Sequence, residues 1–214
     1  MTALRLCFIG DSIVNGYGDS TMLGWPGRVC AAARAAGHDV THYNGGIRGD
    51  TSTLIRARWR AEIEARLPPA FPRALVFGFG INDCVHLNGA RRVTPETSLE
   101  NLRAMSSEAK ALAPTLFIGP TPIDRARPAP QLMPGARLAL DDSDIAALGR
   151  DLVEAARALG VPALDPRPDL EADEAWRRSL REGDGIHPGA EGYDALARLI
   201  SAWPPWRALF GSSE

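Results

Sequence analysis

Short apolar segments alternate with longer segments of helical periodicity along the whole chain. The apolar segments predict five strands, at residues 4–10, 39–43, 74–79, 115–119 and 161–164. The longer segments predict helices at about 23–36, 52–67, 94–113, 142–159, 173–180 and 190–202. Because strands that alternate with helices pair in parallel, we expect an α/β fold: a three-layer α/β/α sandwich with a mainly parallel five-stranded sheet.

The length and composition favour one globular domain, residues 1–214. Of the 214 residues, 45% are hydrophobic and 23% are charged, and no change of composition marks a boundary between domains. The net charge is −2, and the arginines are spread along the predicted helices. Nucleic-acid binding needs clustered positive charge, so we expect no nucleic-acid partner.

The cysteines and the N-terminal residues indicate a cytoplasmic protein. Three cysteines are too few, and odd in number, for a disulfide framework, so reduced thiols are expected. Met1–Arg5 leads directly into the first predicted strand, without the features of a signal peptide. No segment approaches the roughly 20 apolar residues of a membrane span. The sequence makes no prediction of oligomeric state.

Three of the predicted strands are followed by residues that suit a catalytic site. Ser12 follows the first strand, in Gly10-Asp11-Ser12-Ile13, although a serine there can simply cap a helix. A glycine-rich turn containing Gly49 follows the second strand, and Asn82 follows the third. Ligands of parallel sheets bind at the carboxyl ends of the strands, so these segments are expected to share one crevice.

A fourth segment, Asp184-Gly185-Ile186-His187, supplies a base that a serine nucleophile requires. A histidine activates a hydroxyl when an acceptor holds its other ring nitrogen, and Asp184 lies three residues before His187. The remaining histidines have no acidic partner of this kind nearby in the sequence and are expected to be solvated, although His86 follows the Asn82 turn and is a candidate for the pocket wall.

Together these four segments resemble the four sequence blocks of the SGNH hydrolases, the superfamily that contains the GDSL lipases, esterases and thioesterases. They occur in the family's order, from residue 10 to residue 188, with Ile13 where the family usually has leucine. The resemblance implies a flavodoxin-like fold and the following roles. Ser12 would be the nucleophile, His187 the base and Asp184 its orienting acid, with Gly49, Asn82 and the Ser12 N–H as oxyanion donors.

The chemistry implied is hydrolysis of a carboxylic ester or thioester through an acyl-enzyme, without a cofactor or metal. Asp11 and Asp50 adjoin these positions and are interpreted as structural, since short acids bond the N–H groups of turns. Candidate substrate-lining residues are Tyr17, Met22, Leu23, Trp25 and residues 85–87, with Trp25 and Leu23 equally compatible with a place in the core. The proline-rich loop 120–136 borders the same edge, where Arg125, Arg127 and Arg137 would meet an anionic substrate or solvent.

These mostly apolar candidates favour a small or short-to-medium acyl group. An O-deacetylase of acetylated carbohydrates is the alternative within the same superfamily. Two alternatives outside catalysis are a family member that only binds a small ligand and a nucleotide or flavin binder that uses Gly45 and Gly46. The second is disfavoured because the sequence contains neither a phosphate-binding loop nor G-x-G-x-x-G after the first strand.

Overall fold

The computed structural model describes residues 3–124, 126 and 138–211. These residues form eight strands: β1 (Ala3–Gly10), β2 (Asp39–Gly46), β3 (Arg73–Gly78), β4 (His86–Leu87), β5 (Ala90–Arg91), β6 (Thr115–Ile118), β7 (Leu138–Ala139) and β8 (Ala163–Leu164). They also form nine α-helices: α1 (Ser12–Asn15), α2 (Gly24–Ala35), α3 (Ser52–Arg66), α4 (Pro95–Lys110), α5 (Asp142–Ala158), α6 (Arg167–Ala172), α7 (Glu174–Glu182), α8 (Ala190–Ala202) and α9 (Pro204–Ala208).

The main sheet has five strands in the order β2-β1-β3-β6-β8, and every neighbouring pair is parallel. This confirms the predicted fold class. Strand β1 lies between β2 and β3, and its residues from Leu6 to Gly10 are all buried. A continuous apolar strand of this kind is covered on both faces, as parallel sheets require.

A second, antiparallel sheet was not predicted. It has the order β5-β4-β7, and each of its strands contains only two residues. A strand of two residues is too short to show an alternating pattern of apolar and polar side chains, so the sequence does not predict these strands. His86 lies in β4, opposite Arg91 of β5 and Ala139 of β7.

The longer helices begin where side-chain caps are available. Thr94 accepts a hydrogen bond from the Thr97 N–H ahead of α4, and Pro95 occupies the first turn, as the sequence predicts. Thr51 caps α3 and Asp141 caps α5 in the same way. The short helices α1, α6 and α9 were not predicted, because four to six residues do not establish a helical period.

The pairing of the strands brings the segments after β1, β2 and β3 to one place. Gly10 is in register with both Gly46 and Gly78, so the three strands end at the same level of the sheet. A Cβ on Gly10 would lie 2.1 Å from the Gly78 carbonyl oxygen, and one on Gly46 would lie 2.2 Å from the Asn15 nitrogen. Glycine at these ends therefore allows the chain segments to approach closely.

Candidate active site

Ser12 is the first residue of α1, directly beyond the end of β1. Asp11 has an extended backbone and caps this helix, since its Oδ1 accepts from the Ile13 N–H at 2.9 Å. This supports the expectation that Asp11 is a structural residue, because its carboxylate accepts a hydrogen bond from a backbone N–H. Ser12 is 7% exposed, so only a small part of the residue reaches solvent.

The Ser12 hydroxyl contacts His187, which is 175 positions away in the sequence. The distance between Ser12 Oγ and His187 Nε2 is 2.8 Å, and His187 Nδ1 lies 2.7 Å from Asp184 Oδ2. One ring nitrogen therefore faces the hydroxyl and the other faces the carboxylate. This is the geometry in which a histidine accepts a proton from a serine.

A tight turn holds the Asp184 carboxylate in place. Its Oδ1 accepts hydrogen bonds from the N–H groups of Ile186 and His187, at 2.9 and 2.8 Å. Burial by itself would raise the pKa of Asp184, but these two bonds and the bond from the His187 ring outweigh it and lower the pKa to about 2. The carboxylate is therefore ionised throughout the neutral range, as an acceptor for the His187 Nδ1–H.

Gly49 lies in a turn that favours glycine. The Asp50 N–H donates to the Ile47 carbonyl at 3.2 Å, and Gly49 has φ +80° at the third position of this turn, as in a type II turn. Asp50 is indeed structural, although by a different contact from the one expected. Its Oδ2 accepts from Arg58 Nε at 2.7 Å rather than from a backbone N–H.

Arg58 joins the ends of two strands to the Gly49 turn. Besides Asp50, its guanidinium donates to the carbonyl oxygens of Gly45 and Gly10, both at 2.9 Å. The segment before Ser12 and the segment before Gly49 are thereby tied to one side chain of α3. No sequence pattern predicts this role, because arginines on helices are most often solvated.

Asn82 lies in a 3-10 turn, Ile81–Cys84, directly after β3. Its neighbour Asp83 is completely buried and accepts from the Ser52 N–H and the Ser98 hydroxyl, both at 2.7 Å. Asp83 therefore fixes the Asn82 turn to the starts of α3 and α4. Burial raises the pKa of Asp83, while the bonds from these serines act in the opposite direction.

The three expected oxyanion donors follow three adjacent strands that end at the same level of the sheet. Asn82 Nδ2 lies 3.5 Å from Asp11 Oδ2, which brings the amide next to the Ser12 segment. Within residues 3–124, 126 and 138–211, neither the Ser12 N–H nor the Gly49 N–H donates a hydrogen bond to another residue. Both N–H groups are therefore available to a ligand.

Asp11 is buried next to the side chain of Asn82. Burial raises the pKa of its carboxyl to about 7, against the lowering effects of the Ile13 N–H bond and of the nearby His187. The negative charge of Asp83 adds to the increase. Asp11 is thus a buried carboxyl that holds its proton far more strongly than an exposed one.

Tyr17 and Arg48 form a wall next to the histidine. The Tyr17 ring meets the His187 ring edge to face, with centroids 4.8 Å apart, and the Arg48 guanidinium lies over Tyr17 at 3.4 Å. The Tyr193 hydroxyl donates to the Tyr17 carbonyl at 2.9 Å. Tyr17 was expected at the pocket, whereas Arg48 and Tyr193 were missed because their contacts join distant parts of the chain.

The other expected lining residues divide into two groups. Tyr17, Met22 and Leu23 are exposed, whereas Trp25 is 1% exposed and Val85 4%. Trp25 thus takes the place in the core that the sequence left open, and the expected place of Val85 in the pocket wall is wrong. Arg125, Arg127, Arg137 and most of the loop 120–136 lie outside the described residues.

Two cavities border the site. A cleft of about 610 Å³ lies beside Asp184 and His187 and includes the acidic side chains Glu182 and Glu191 in its walls, but not Ser12 or Asn82. A buried cavity of about 20 Å³ lies beneath Asp11 and is too small for a substrate group.

The thiols are unsuited to nucleophilic chemistry. Cys7, Cys30 and Cys84 are free and buried, and burial raises the pKa of each to about 12. Among the described residues, no group of three or more histidine, cysteine or acidic side chains is arranged to hold a metal ion. No helix in the described part of the chain is long and apolar enough to cross a membrane.

Comparisons with known proteins find chains similar to this one. The family model of the GDSL-like lipase/acylhydrolase family matches residues 8–195. Esterase TesA of Pseudomonas aeruginosa is 27% identical over 213 residues, which cover 97% of this chain and 90% of that protein. Two solved structures share the fold. A lipase/acylhydrolase from Enterococcus faecalis has a TM-score of 0.75 at 24% identity, with 97% of each chain covered.

The second structure is an acetylxylan esterase from Geobacillus stearothermophilus, with a TM-score of 0.67 at 21% identity, covering 97% of this chain and 98% of that one. At these identities the two structures establish the fold. The family model spans most of the chain and includes Ser12, Gly49, Asn82 and His187. The chain belongs to the GDSL-like lipase/acylhydrolase family of ester hydrolases.

Proposed function

We propose that this chain hydrolyses carboxylic esters or thioesters through an acyl-enzyme formed on Ser12. The observation that carries the proposal is the continuous set of contacts from Ser12 Oγ through the His187 ring to Asp184, at 2.8 and 2.7 Å. A serine hydroxyl is a weak nucleophile without such a base. The depressed pKa of Asp184 supports its role as the ionised partner of His187.

In the first step, His187 Nε2 takes the Ser12 proton while Ser12 Oγ attacks the carbonyl carbon. The protonated His187 then gives this proton to the departing alcohol or thiol, and the acyl group stays on Ser12. In the second step, His187 takes a proton from water, the hydroxide attacks the acyl-enzyme, and the carboxylic acid leaves as Ser12 recovers its proton.

The oxyanion that forms in each step would receive hydrogen bonds from the Ser12 N–H, the Gly49 N–H and Asn82 Nδ2. Two features support this assignment. The turn at Gly49 and the 3-10 turn at Asn82 are both fixed by buried side chains, Asp50 and Asp83. Donors held in this way need little reorganisation as charge develops, which is the main source of their effect on the rate.

The domain, the location and the partner of the reaction are proposed from three further observations. One five-stranded sheet and one hydrophobic core support a single hydrolase domain over residues 1–214. Three free, buried cysteines support a reducing location, the cytoplasm. The near balance of charges supports a small ester as the partner rather than a nucleic acid.

Labelling of the purified protein with a fluorophosphonate probe tests the nucleophile. We expect the wild type to be labelled and to hydrolyse p-nitrophenyl acetate, and Ser12→Ala to lose both properties. Ser20→Ala is the matched control, since Ser20 is an exposed serine nearby in the chain, and it should behave as the wild type. Absence of labelling in folded wild-type protein would reject the acyl-enzyme and favour a chain that only binds a small ligand.

A further inference from the structure

Arg92 contacts the turn that carries one of the proposed oxyanion donors. It follows β5, in the segment that leads into α4, and its side chain is partly buried. Arg92 Nη2 donates to the Gly49 carbonyl oxygen at 2.9 Å, from 43 positions away in the sequence. The proposed reaction has so far assigned no role to this side chain.

A short hairpin places the main chain of Arg92 beside the turn that carries Asn82. Strand β4 pairs with β5 across Asn88 and Gly89, whose φ values of +53° and +86° are typical of a type I′ turn. Beyond the hairpin, the Arg92 N–H donates to the Val85 carbonyl oxygen at 2.9 Å. Val85 directly follows the 3-10 turn, and its own N–H donates to the Asn82 carbonyl oxygen at 3.4 Å. Arg92 is thus bonded to one oxyanion turn through its main chain and to the other through its side chain.

The residues after Arg92 are also fixed. The Val93 N–H donates to the carbonyl oxygen of the buried Asp83 at 3.4 Å, and the next residue, Thr94, caps α4. Three consecutive residues are therefore bonded either to the segment that carries Asn82 or to the start of a helix. Because its main chain is held in this way, Arg92 can hold the Gly49 turn at a constant distance from that segment.

The peptide unit between Gly49 and Asp50 is held at both ends. Its N–H donates to the Ile47 carbonyl oxygen at 3.2 Å, and its carbonyl oxygen accepts from Arg92. Among the described residues, apart from its chain neighbours, no atom would lie within 4 Å of a Cβ on Gly49, so hydrogen bonds rather than packing hold the turn at this point. The Gly49 N–H belongs to the preceding peptide unit, which is joined to the fixed one only through φ and ψ of Gly49. Fixing one unit therefore limits the direction of the other.

Arg92 directs its charge at a carbonyl oxygen and not at a carboxylate. Within the described part of the chain, no acidic side chain lies within ion-pair distance of it. Asp83 is near enough to be affected, since burial raises the pKa of this carboxyl and the charge of Arg92 is one of the effects that lower it. A hydrogen bond from a charged donor is stronger than one from a neutral donor, so the bond to Gly49 is a firm one.

We propose that Arg92 is a positioning residue of the oxyanion site, which sets the direction of the Gly49 N–H relative to Asn82 Nδ2. This inference rests on the proposed reaction at Ser12 and adds a residue that acts through Gly49, without contact with the substrate. Donors of this kind accelerate the reaction because they are aligned before charge develops. The contribution of Arg92 is therefore made in the transition state and belongs to kcat rather than to KM.

Arg92→Met tests this role, because it removes the guanidinium and keeps an apolar side chain for packing. A misaligned donor should cost less than a missing one, so kcat for p-nitrophenyl acetate should fall roughly ten- to a hundred-fold, with KM within about two-fold of the wild type. Arg92→Lys keeps one charged donor. Because Arg92 uses a single N–H group on Gly49, the lysine variant should recover kcat to within about five-fold of the wild type.

A trifluoromethyl ketone measures the oxyanion site separately from turnover. Ser12 Oγ adds to its carbonyl carbon, His187 takes the Ser12 proton, and the carbonyl oxygen becomes an anion where the transition-state oxyanion would form. The inhibition constant of Arg92→Met should rise by about the same factor as its kcat/KM falls. Asn82→Ala is the reference for a removed donor and should show the same proportionality.

Arg73→Met is the matched control. Arg73 is also partly buried and also donates to carbonyl oxygens, those of Leu67 and Leu112, at 2.7 and 2.9 Å. It begins β3, at the opposite end of that strand from the proposed site. Its loss removes comparable hydrogen bonds, so kcat and the inhibition constant should equal those of the wild type.

The proposal is overturned if Arg92→Met keeps the wild-type kcat, or if its inhibition constant does not follow kcat/KM. It is also overturned if Arg92→Lys is as slow as Arg92→Met. Failure of Arg92→Met to fold would make Arg92 a residue of stability and overturn the proposal as well. Failure of the wild type to hydrolyse any ester would instead reject the proposed function.

Discussion

Asn82 is the proposed oxyanion donor that a side-chain substitution can remove. The other two donors are backbone N–H groups, of Ser12 and Gly49, which remain in any variant. Asn82 Nδ2 is placed by the 3-10 turn after β3 and lies near Asp11. It therefore offers a direct test of whether the three groups act on the transition state.

Replacement of Asn82 by alanine should lower kcat by roughly 10²–10³ with little change in KM, because the lost bond forms fully only in the transition state. Steady-state kinetics on p-nitrophenyl acetate measures both constants. Asn82→Asp keeps the shape of the side chain but has no N–H donor, so it should be as slow as Asn82→Ala. A kcat within a few-fold of the wild type in both variants would show that Asn82 is not an oxyanion donor.

The residues that define the proposed site were predictable because each follows a strand or lies in a loop with its partner. Asp184 and His187 are three positions apart, so their contact is local in the sequence. Arg58 and Tyr193 act through contacts with residues 48 and 176 positions away, and no local pattern distinguishes them from other helical residues. Side chains that support a site from a distant helix are therefore the ones that a single sequence does not reveal.

At the scale of elements, Asp83 connects three parts of the molecule. It belongs to the 3-10 turn, and its two carboxylate oxygens accept from Ser52 at the start of α3 and from Ser98 in α4. Asn101 of α4 adds a bond to the Ser52 hydroxyl at 2.9 Å. The Asn82 turn and the start of α3 are thus connected through the same buried carboxylate.

Substitution of Asp83 by alanine should reduce the free energy of unfolding by about 2–4 kcal/mol, because the Ser52 N–H and the Ser98 hydroxyl lose a buried partner. Urea denaturation measures this loss. Asp83→Asn retains an oxygen for the Ser52 N–H and an amide that can face Ser98, so it should be clearly less destabilising. Equal losses in the two variants would contradict the role given to the hydrogen bonds.

The predicted elements agree best where a helix or strand is long. Helix α8 was predicted with its observed limits, and the five strands of the main sheet were all found. Strand β2 extends three residues further than predicted, through Asn44-Gly45-Gly46, because its pairing with β1 overrides the turn preference of the glycines. Local sequence preference predicts the strand β2, and its pairing with β1 determines where the strand ends.

For the molecule as a whole, Asp11 makes stability depend on pH. Its folded pKa is about 7, whereas the ordinary value is 3.8. The folded state therefore keeps a proton that the unfolded chain releases, and the stability linked to Asp11 falls as the pH rises from about 4 to about 7. The groups that face Asp11 and contribute to its electrostatics include His187 and Asp83.

In Asp11→Asn this dependence should disappear, while the side-chain oxygen can still accept from the Ile13 N–H. Between pH 5 and pH 8 the wild type should lose on the order of 1–4 kcal/mol of unfolding free energy relative to the variant. Urea denaturation at the two pH values measures the difference. Asp151→Asn, at an exposed position of α5, should follow the wild type, and parallel profiles for Asp11→Asn would exclude this source of pH dependence.

The 175 positions that separate Ser12 from His187 have a consequence for biosynthesis. The proposed nucleophile is among the first residues that the ribosome adds, and its proposed base follows only after most of the chain has been made. Tyr193, which supports the Tyr17 wall, is added later still. A nascent chain that lacks residue 187 has no imidazole beside Ser12, so we expect hydrolysis to begin only when the fold is complete.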